Sequence, residues 1–188
     1  VWIYPGISEG TLTLTDGDGQ TVCSFSLSVG SCFGWQRQEV LTDAGSFTLT
    51  LTGGAVNELV LVDREGRAIP PASVTPAGGA NALFDEADTL PERPSQLNGM
   101  YFDEIYHGRT GFETLHGLPI YETTHPPLGK DLIAVGIALF GMNPFGWRIM
   151  GALFGVAMVP VFYLLARGLF GRRRLCAALT FLFAVDFM

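Results

Sequence analysis

Tyr101-Phe102-Asp103-Glu104, then Tyr121-Glu122, then His125-Pro126-Pro127-Leu128-Gly129-Lys130: these pieces lie where an acidic, polar chain turns into one that reads as membrane. From Leu128 to Met188 apolar residues dominate. Carboxylates, a histidine and a lysine are costly to hold beside hydrocarbon, so their presence there points to function. Every acidic residue except Asp131 and Asp186 precedes Pro126. The negative net charge, -7 for the whole chain, therefore arises in the N-terminal part and argues against a nucleic-acid partner there. The mean hydropathy of +0.32 is set by the C-terminal part.

Working back toward Val1, residues 1–80 alternate with period two. Leu12 and Leu14 stand between threonines, Phe25 and Leu27 between serines, and Phe47, Leu49 and Leu51 between threonines. That pattern specifies half-buried antiparallel strands, and hence a small β-sandwich on the extracytoplasmic side. Asp16-Gly17-Asp18-Gly19 reads as a hairpin turn, with too few ligands for a calcium loop. The spacing of Cys23 and Cys32 admits either a disulfide, which that compartment would permit, or two buried thiols. Cys176 reads as a small core residue. Trp2, Tyr4 and Trp35 read as core filling, with a sugar-stacking platform as the sharper alternative.

Residues 81–98 continue a Pro-, Gly- and acid-rich stretch that begins near Pro70, and read as a linker. Residues 99–127 form an extracytoplasmic loop containing a short helix, in which Ile105, Tyr106, Arg109, Phe112 and Leu115 recur at helical spacing. Residues 128–140 are apolar but span only about 20 Å as a helix, which suits an interfacial or re-entrant segment. Pro126-Pro127 fits its first turn. Residues 146–167 are long enough to cross a bilayer, and residues 175–188 begin another span. Arg167, Arg172, Arg173 and Arg174 place the turn between them in the cytoplasm. The two ends lead us to expect an internal fragment of a longer membrane protein, inactive when isolated.

The order Tyr-Phe-Asp-Glu, His-Pro-Pro-Leu-Gly-Lys, then an arginine heading the next helix resembles the start of protein O-mannosyltransferase-type enzymes. These are membrane glycosyltransferases of the GT-C architecture that use polyprenyl-phosphate sugars. The resemblance covers about residues 100–188. It implies a mixed fold: a β-sandwich, similar to an inserted galactose-binding jelly roll, followed by an α-helical GT-C fragment. By this resemblance Asp103 is the catalytic base and Glu104 orients the acceptor or tunes Asp103. Arg148, and with it Lys130, meets the donor phosphate; an ordinary membrane-end anchor and a snorkelling lysine are their structural alternatives. His125, Pro126 and Pro127 shape the active-site floor. Glu122 and Asp186 match acidic positions of related lipid-sugar transferases, some of which bind a metal. A divalent metal is thus left open, with Glu122 and Asp103 as ligand candidates. Chemically, transfer to a hydroxyl needs a base and a positive charge for the departing phosphate.

The implied reaction moves a sugar, mannose first, from a polyprenyl phosphate to an acceptor hydroxyl on protein Ser/Thr, outside the cytoplasm and at the cell membrane. Its partners are the lipid-linked donor, a protein or glycan acceptor and membrane lipid. Two other readings compete. One transfers aminoarabinose to lipid or builds a cell-wall glycan. The other is a membrane-anchored carbohydrate-binding protein without chemistry.

Overall fold

The computed structural model describes residues 1–75 and 80–186. Pro76 and Gly78-Gly79 of the Pro/Gly-rich stretch, and residues 187–188 of the last apolar run, lie outside the described residues.

Among the described residues, seven strands form first: β1 (Trp2–Pro5), β2 (Gly10–Asp16), β3 (Thr21–Leu27), β4 (Gln36–Arg37), β5 (Phe47–Gly53), β6 (Val56–Val62) and β7 (Ala68–Ile69). They make two antiparallel sheets, ordered β4-β1-β6-β7 and β3-β2-β5. In the second sheet Leu12 lies opposite Phe25 and Leu51, and Leu14 opposite Cys23 and Leu49. One face is therefore apolar and the other is Thr and Ser. Leu12, Leu14, Cys23, Phe25 and Leu27 of that face meet Ile3 and Leu59 of the first sheet in a shared core. Leu49 and Leu51 on the edge strand β5 stay exposed, contrary to the half-buried expectation for that strand. Two sheets around one core are the expected β-sandwich.

β6 breaks the alternation, running Leu59-Val60-Leu61, because its sheet is covered on both faces. The inner face takes the shared core. On the outer face Trp2 and Val60 pack with Trp35, Ala87 and Leu90. Trp2 and Trp35 are buried, and Tyr4 meets Trp35 edge-on at 5.5 Å. These aromatics are core. Gly53 and Gly54, at φ +69° and +76°, carry the chain from one sheet to the other, a conformation that side chains disfavour. At the β2–β3 turn, Asp16 Oδ1 accepts from the amides of Asp18 (3.0 Å) and Gln20 (2.8 Å), as a hairpin turn requires. Cys23 and Cys32 are both buried free thiols. Burial pushes the Cys32 thiol up to about 11.

Among the described residues after β7, two short 3-10 turns, Ala80–Leu83 and Ala87–Thr89, interrupt irregular chain, and this stretch covers Glu58 on β6. Glu58 is 4% exposed and accepts from the Glu86 amide at 3.3 Å. Burial pushes its carboxyl up to about 7, and the neighbouring Asp85 carboxyl adds to this. Since the folded value lies above the unfolded one, the protonated form is the one the fold stabilises. That contribution is complete below about pH 4.3 and is lost as pH rises through about 7. Amide protection along β6 in the intact protein is therefore expected to be higher at pH 5.5 than at pH 8, and Glu58→Gln to flatten the difference. Equal protection at both pH values in the parent protein would contradict this.

Four helices follow among the described residues: α1 (Glu104–His116), α2 (Pro127–Phe140), α3 (Pro144–Phe170) and α4 (Arg173–Val185). α1 stops where Gly117 adopts φ +63° and returns its amide to Glu113 and Thr114. Pro127 opens α2. Asn143 caps α3 by accepting the Gly146 amide at 3.0 Å, with Pro144 in the first turn, which explains a start two residues before the expected one. Each helix packs on the next. At 27 residues α3 is about 40 Å long. Among the described residues it is the one helix long and apolar enough to cross a membrane. α2, with 14 residues, is about 21 Å long and falls short of the ~30 Å hydrocarbon thickness.

Candidate functional site

The site is built where the N-terminus of α1, the start of α2 and the head of α3 converge. The chain enters α1 through Phe102, a non-glycine residue at φ +48°, in the sparsely populated left-handed region that marks strained functional segments. Asp103 follows at the cap position. Its side chain is exposed and caps nothing, so its carboxylate is unspent on the helix.

Glu104 is committed. Its Oε1 and Oε2 accept Nε (2.7 Å) and Nη2 (2.6 Å) of Arg148, and Oε2 also accepts the Tyr101 amide at 3.1 Å. The same Arg148 Nη2 donates to the carbonyls of Gln96 (2.8 Å) and Gly99 (3.0 Å). This pair joins residues 44 apart, fixing the entry to α1 against the head of α3. The Arg148 guanidinium holds the Glu104 carboxyl below the usual carboxylate range. Asp103, Glu104, His107, Ile133, Trp147 and Arg148 line an open cavity of about 590 Å³.

A second cluster sits beside it. The Lys130 side chain, 5% exposed, reaches Glu122 Oε2 at 2.5 Å and the Glu122 carbonyl at 2.8 Å. Its ammonium is thus buried on a carboxylate and does not snorkel to water. Glu122 Oε1 accepts the Thr124 hydroxyl, the Thr124 amide (2.6 Å) and the His125 amide (3.3 Å). Lys130 foremost, then Thr124, hold the Glu122 carboxyl well below the usual carboxylate range. His125 Nδ1 lies 3.2 Å from Glu122 Oε1, and its ring meets His107 edge-on at 4.9 Å. One ligand atom each from His107, Glu122 and His125 fall within 4.8 Å of one another, a set able to hold a metal ion. His107 Nδ1 is buried and has no hydrogen-bond partner among the described residues, which suits such a role. Asp103 does not belong to this group.

Asp186 is not brought to the cluster. Phe183 stacks on Phe162 at 4.3 Å, so the end of α4 sits level with about residue 158 of α3. Ten residues of helix, about 15 Å, still separate that level from Arg148. Pro126 stands at the cap of α2 and Pro127 opens it, so both help to set the helix start.

Two functional features escape sequence reasoning. His107 is one helical turn past Asp103, and only that spacing marks it. Arg109 and Glu113 form an i,i+4 ion pair at 2.7 Å inside α1, with Glu113 1% exposed. Glu113 Oε2 also accepts the Tyr121 amide at 2.9 Å, and Arg109 lies 4.3 Å over the Tyr121 ring. Together they pull the chain back from α1 so that Glu122 meets Lys130. Phe33, buried at φ +56°, reaches Phe112 at 5.1 Å and ties the β-sandwich to the same helix.

Residues 124–188 match a family described as dolichyl-phosphate-mannose-protein mannosyltransferase. The polyprenol-phosphate-mannose–protein mannosyltransferase of Mycobacterium tuberculosis is 44% identical over 89 residues, 47% of this chain and 14% of that relative. The protein of the same name from Mycolicibacterium smegmatis is 36% identical over 80 residues, 39% of this chain and 16% of the relative. That of Corynebacterium glutamicum is 33% identical over 123 residues, 65% of this chain and 21% of the relative. The chain therefore spans between 14% and 21% of the length of these relatives. No solved structure matches it. These matches support the resemblance to the protein O-mannosyltransferase-type family, over part of this chain and a small part of each relative.

Proposed function

We propose that this chain forms part of an integral-membrane glycosyltransferase of GT-C architecture. It moves mannose from a polyprenyl phosphate to a Ser/Thr hydroxyl of a protein, on the extracytoplasmic face of the cell membrane. The observation that carries this reading is one cavity at the head of a membrane-length helix, lined by an uncommitted carboxylate, Asp103, and a fixed guanidinium, Arg148. The names of the relatives support mannose, a polyprenyl carrier and a protein acceptor.

Asp103 takes the proton of the acceptor hydroxyl. The oxygen attacks the anomeric carbon with inversion, and the lipid phosphate leaves with the bonding electrons, its charge offset by Arg148. Lys130 adds positive potential from its place on Glu122. His125 and the two prolines set the floor on which the sugar rests. A divalent metal, where the enzyme takes one, would be held by His107, Glu122 and His125 and would supply Lewis-acid polarisation. The jelly-roll-like β-domain captures glycan or positions the acceptor, and the Arg172–Arg174 turn lies in the cytoplasm.

The test uses the full-length protein in nanodiscs with polyprenyl-phosphate-mannose and a Ser/Thr-rich peptide. Asp103→Asn is expected to lower transfer by about 10²–10⁴-fold, the usual span for a lost general base. Transfer that survives the substitution would move the base elsewhere. No transfer by the parent protein from any lipid-linked sugar would favour the binding protein.

A further inference from the structure

We propose that Glu104 is a positioning residue: it clamps one edge of Arg148 so that Nη1 is presented, oriented, to the phosphate of the lipid-linked donor. The inference rests on the transferase reading above and changes the role of Glu104 from acceptor orientation to anion-site assembly.

Arg148 has three guanidine nitrogens. Nε and Nη2 are spent on Glu104 and on the carbonyls of Gln96 and Gly99, four contacts between 2.6 and 3.0 Å. Nη1 makes no hydrogen bond among the described residues, on a side chain that lines the cavity. An arginine loses substantial rotamer freedom when it is fixed. Here that loss is already met in the folded chain, so an arriving phosphate finds a donor edge in place. The clamp has a second consequence. Asp103 and Glu104 are adjacent, so the contact that fixes Arg148 also fixes the entry of α1, and with it the position of the Asp103 carboxylate relative to the anion site. Both Glu104 oxygens accept charge-assisted bonds, which leaves that carboxylate poorly suited to collect a substrate proton.

The test compares Glu104→Gln, Arg148→Lys and the double variant with the parent in the full-length protein, by steady-state transfer and by binding of polyprenyl phosphate that carries no sugar. Glu104→Gln is expected to raise the donor KM, and to weaken polyprenyl-phosphate binding, by on the order of tenfold, with a smaller change in kcat and an unshifted pH profile. The double variant is expected to bind no worse than Arg148→Lys alone, since both remove one unit. If Glu104→Gln fails to fold, Glu104→Asp is read by the same measurements. A collapsed kcat with donor KM and phosphate binding unchanged, or additive losses in the double variant, would overturn the clamp. If the parent transfers no mannose, the transferase reading falls. The binding measurement then decides the clamp alone: weakened binding upholds it and unchanged binding rejects it.

Discussion

Arg109→Met is expected to destabilise the protein by about 3–5 kcal/mol, because it leaves the carboxylate of Glu113 buried without its cation. Glu113 is 1% exposed, and its two oxygens hold the Arg109 guanidinium and the Tyr121 amide. Removing one member of such a pair exposes the full desolvation cost of the other. Replacing both with groups of similar volume is far gentler. Arg109→Met/Glu113→Gln should therefore recover much of the loss, since the glutamine amide oxygen can still accept from Tyr121. Thermal unfolding of the full-length protein in detergent measures both variants. A single variant as stable as the parent would show that Glu113 finds water or another partner. The loss should reach the site, because the Tyr121 contact sets the path that delivers Glu122 to Lys130.

Gly136→Val is expected to separate α2 from α3. A Cβ at Gly136 would run into the carbonyl oxygen of Gly146 and lie 3.2 Å from atoms of Ile149 and Met150. The first obstacle is backbone, which cannot rotate away as a side chain can. The cost should therefore exceed the ~1–3 kcal/mol of ordinary overpacking. Because α2 carries Lys130 and α3 carries Arg148, a shift between the helices also spoils the geometry of both clusters. Transfer activity and the thermal midpoint should fall together, with Gly136→Ala intermediate. Parent-like values for Gly136→Val would mean that the helices do not approach this closely in the membrane.

The strands of the sandwich were readable because alternation is a local property. Leu12 and Leu14 among threonines announce one buried face whatever the remainder of the chain does. The linker was harder to read. Its Pro and Gly content points to irregular backbone but says nothing about packing, and Ala87 and Leu90 in fact cover the outer face of the first sheet. The unbroken apolar run of β6 held the missing clue, since a strand buried on both faces needs something on each.

In the site, residue types were legible and partners were not. Asp103, Glu104, His125, Lys130 and Arg148 stand out as charges or histidine beside an apolar stretch. Sequence gave no means of knowing that Arg148 spends two nitrogens on Glu104, 44 residues earlier, or that Lys130 is buried on Glu122. Asp186 shows the converse: an acidic residue in an apolar run attracts attention, yet the antiparallel packing of α4 on α3 leaves it about 15 Å short of Arg148. By itself the sequence determined the period-two strands, the presence of a helix long and apolar enough to span a membrane and the charge boundary at Pro126, because each follows from neighbours a few residues apart. Only the tertiary structure decided which charges neutralise one another and which remain for a ligand, because a charge pair is set by distance in space, and the turns, caps and close glycine contacts that create that distance act across the whole chain.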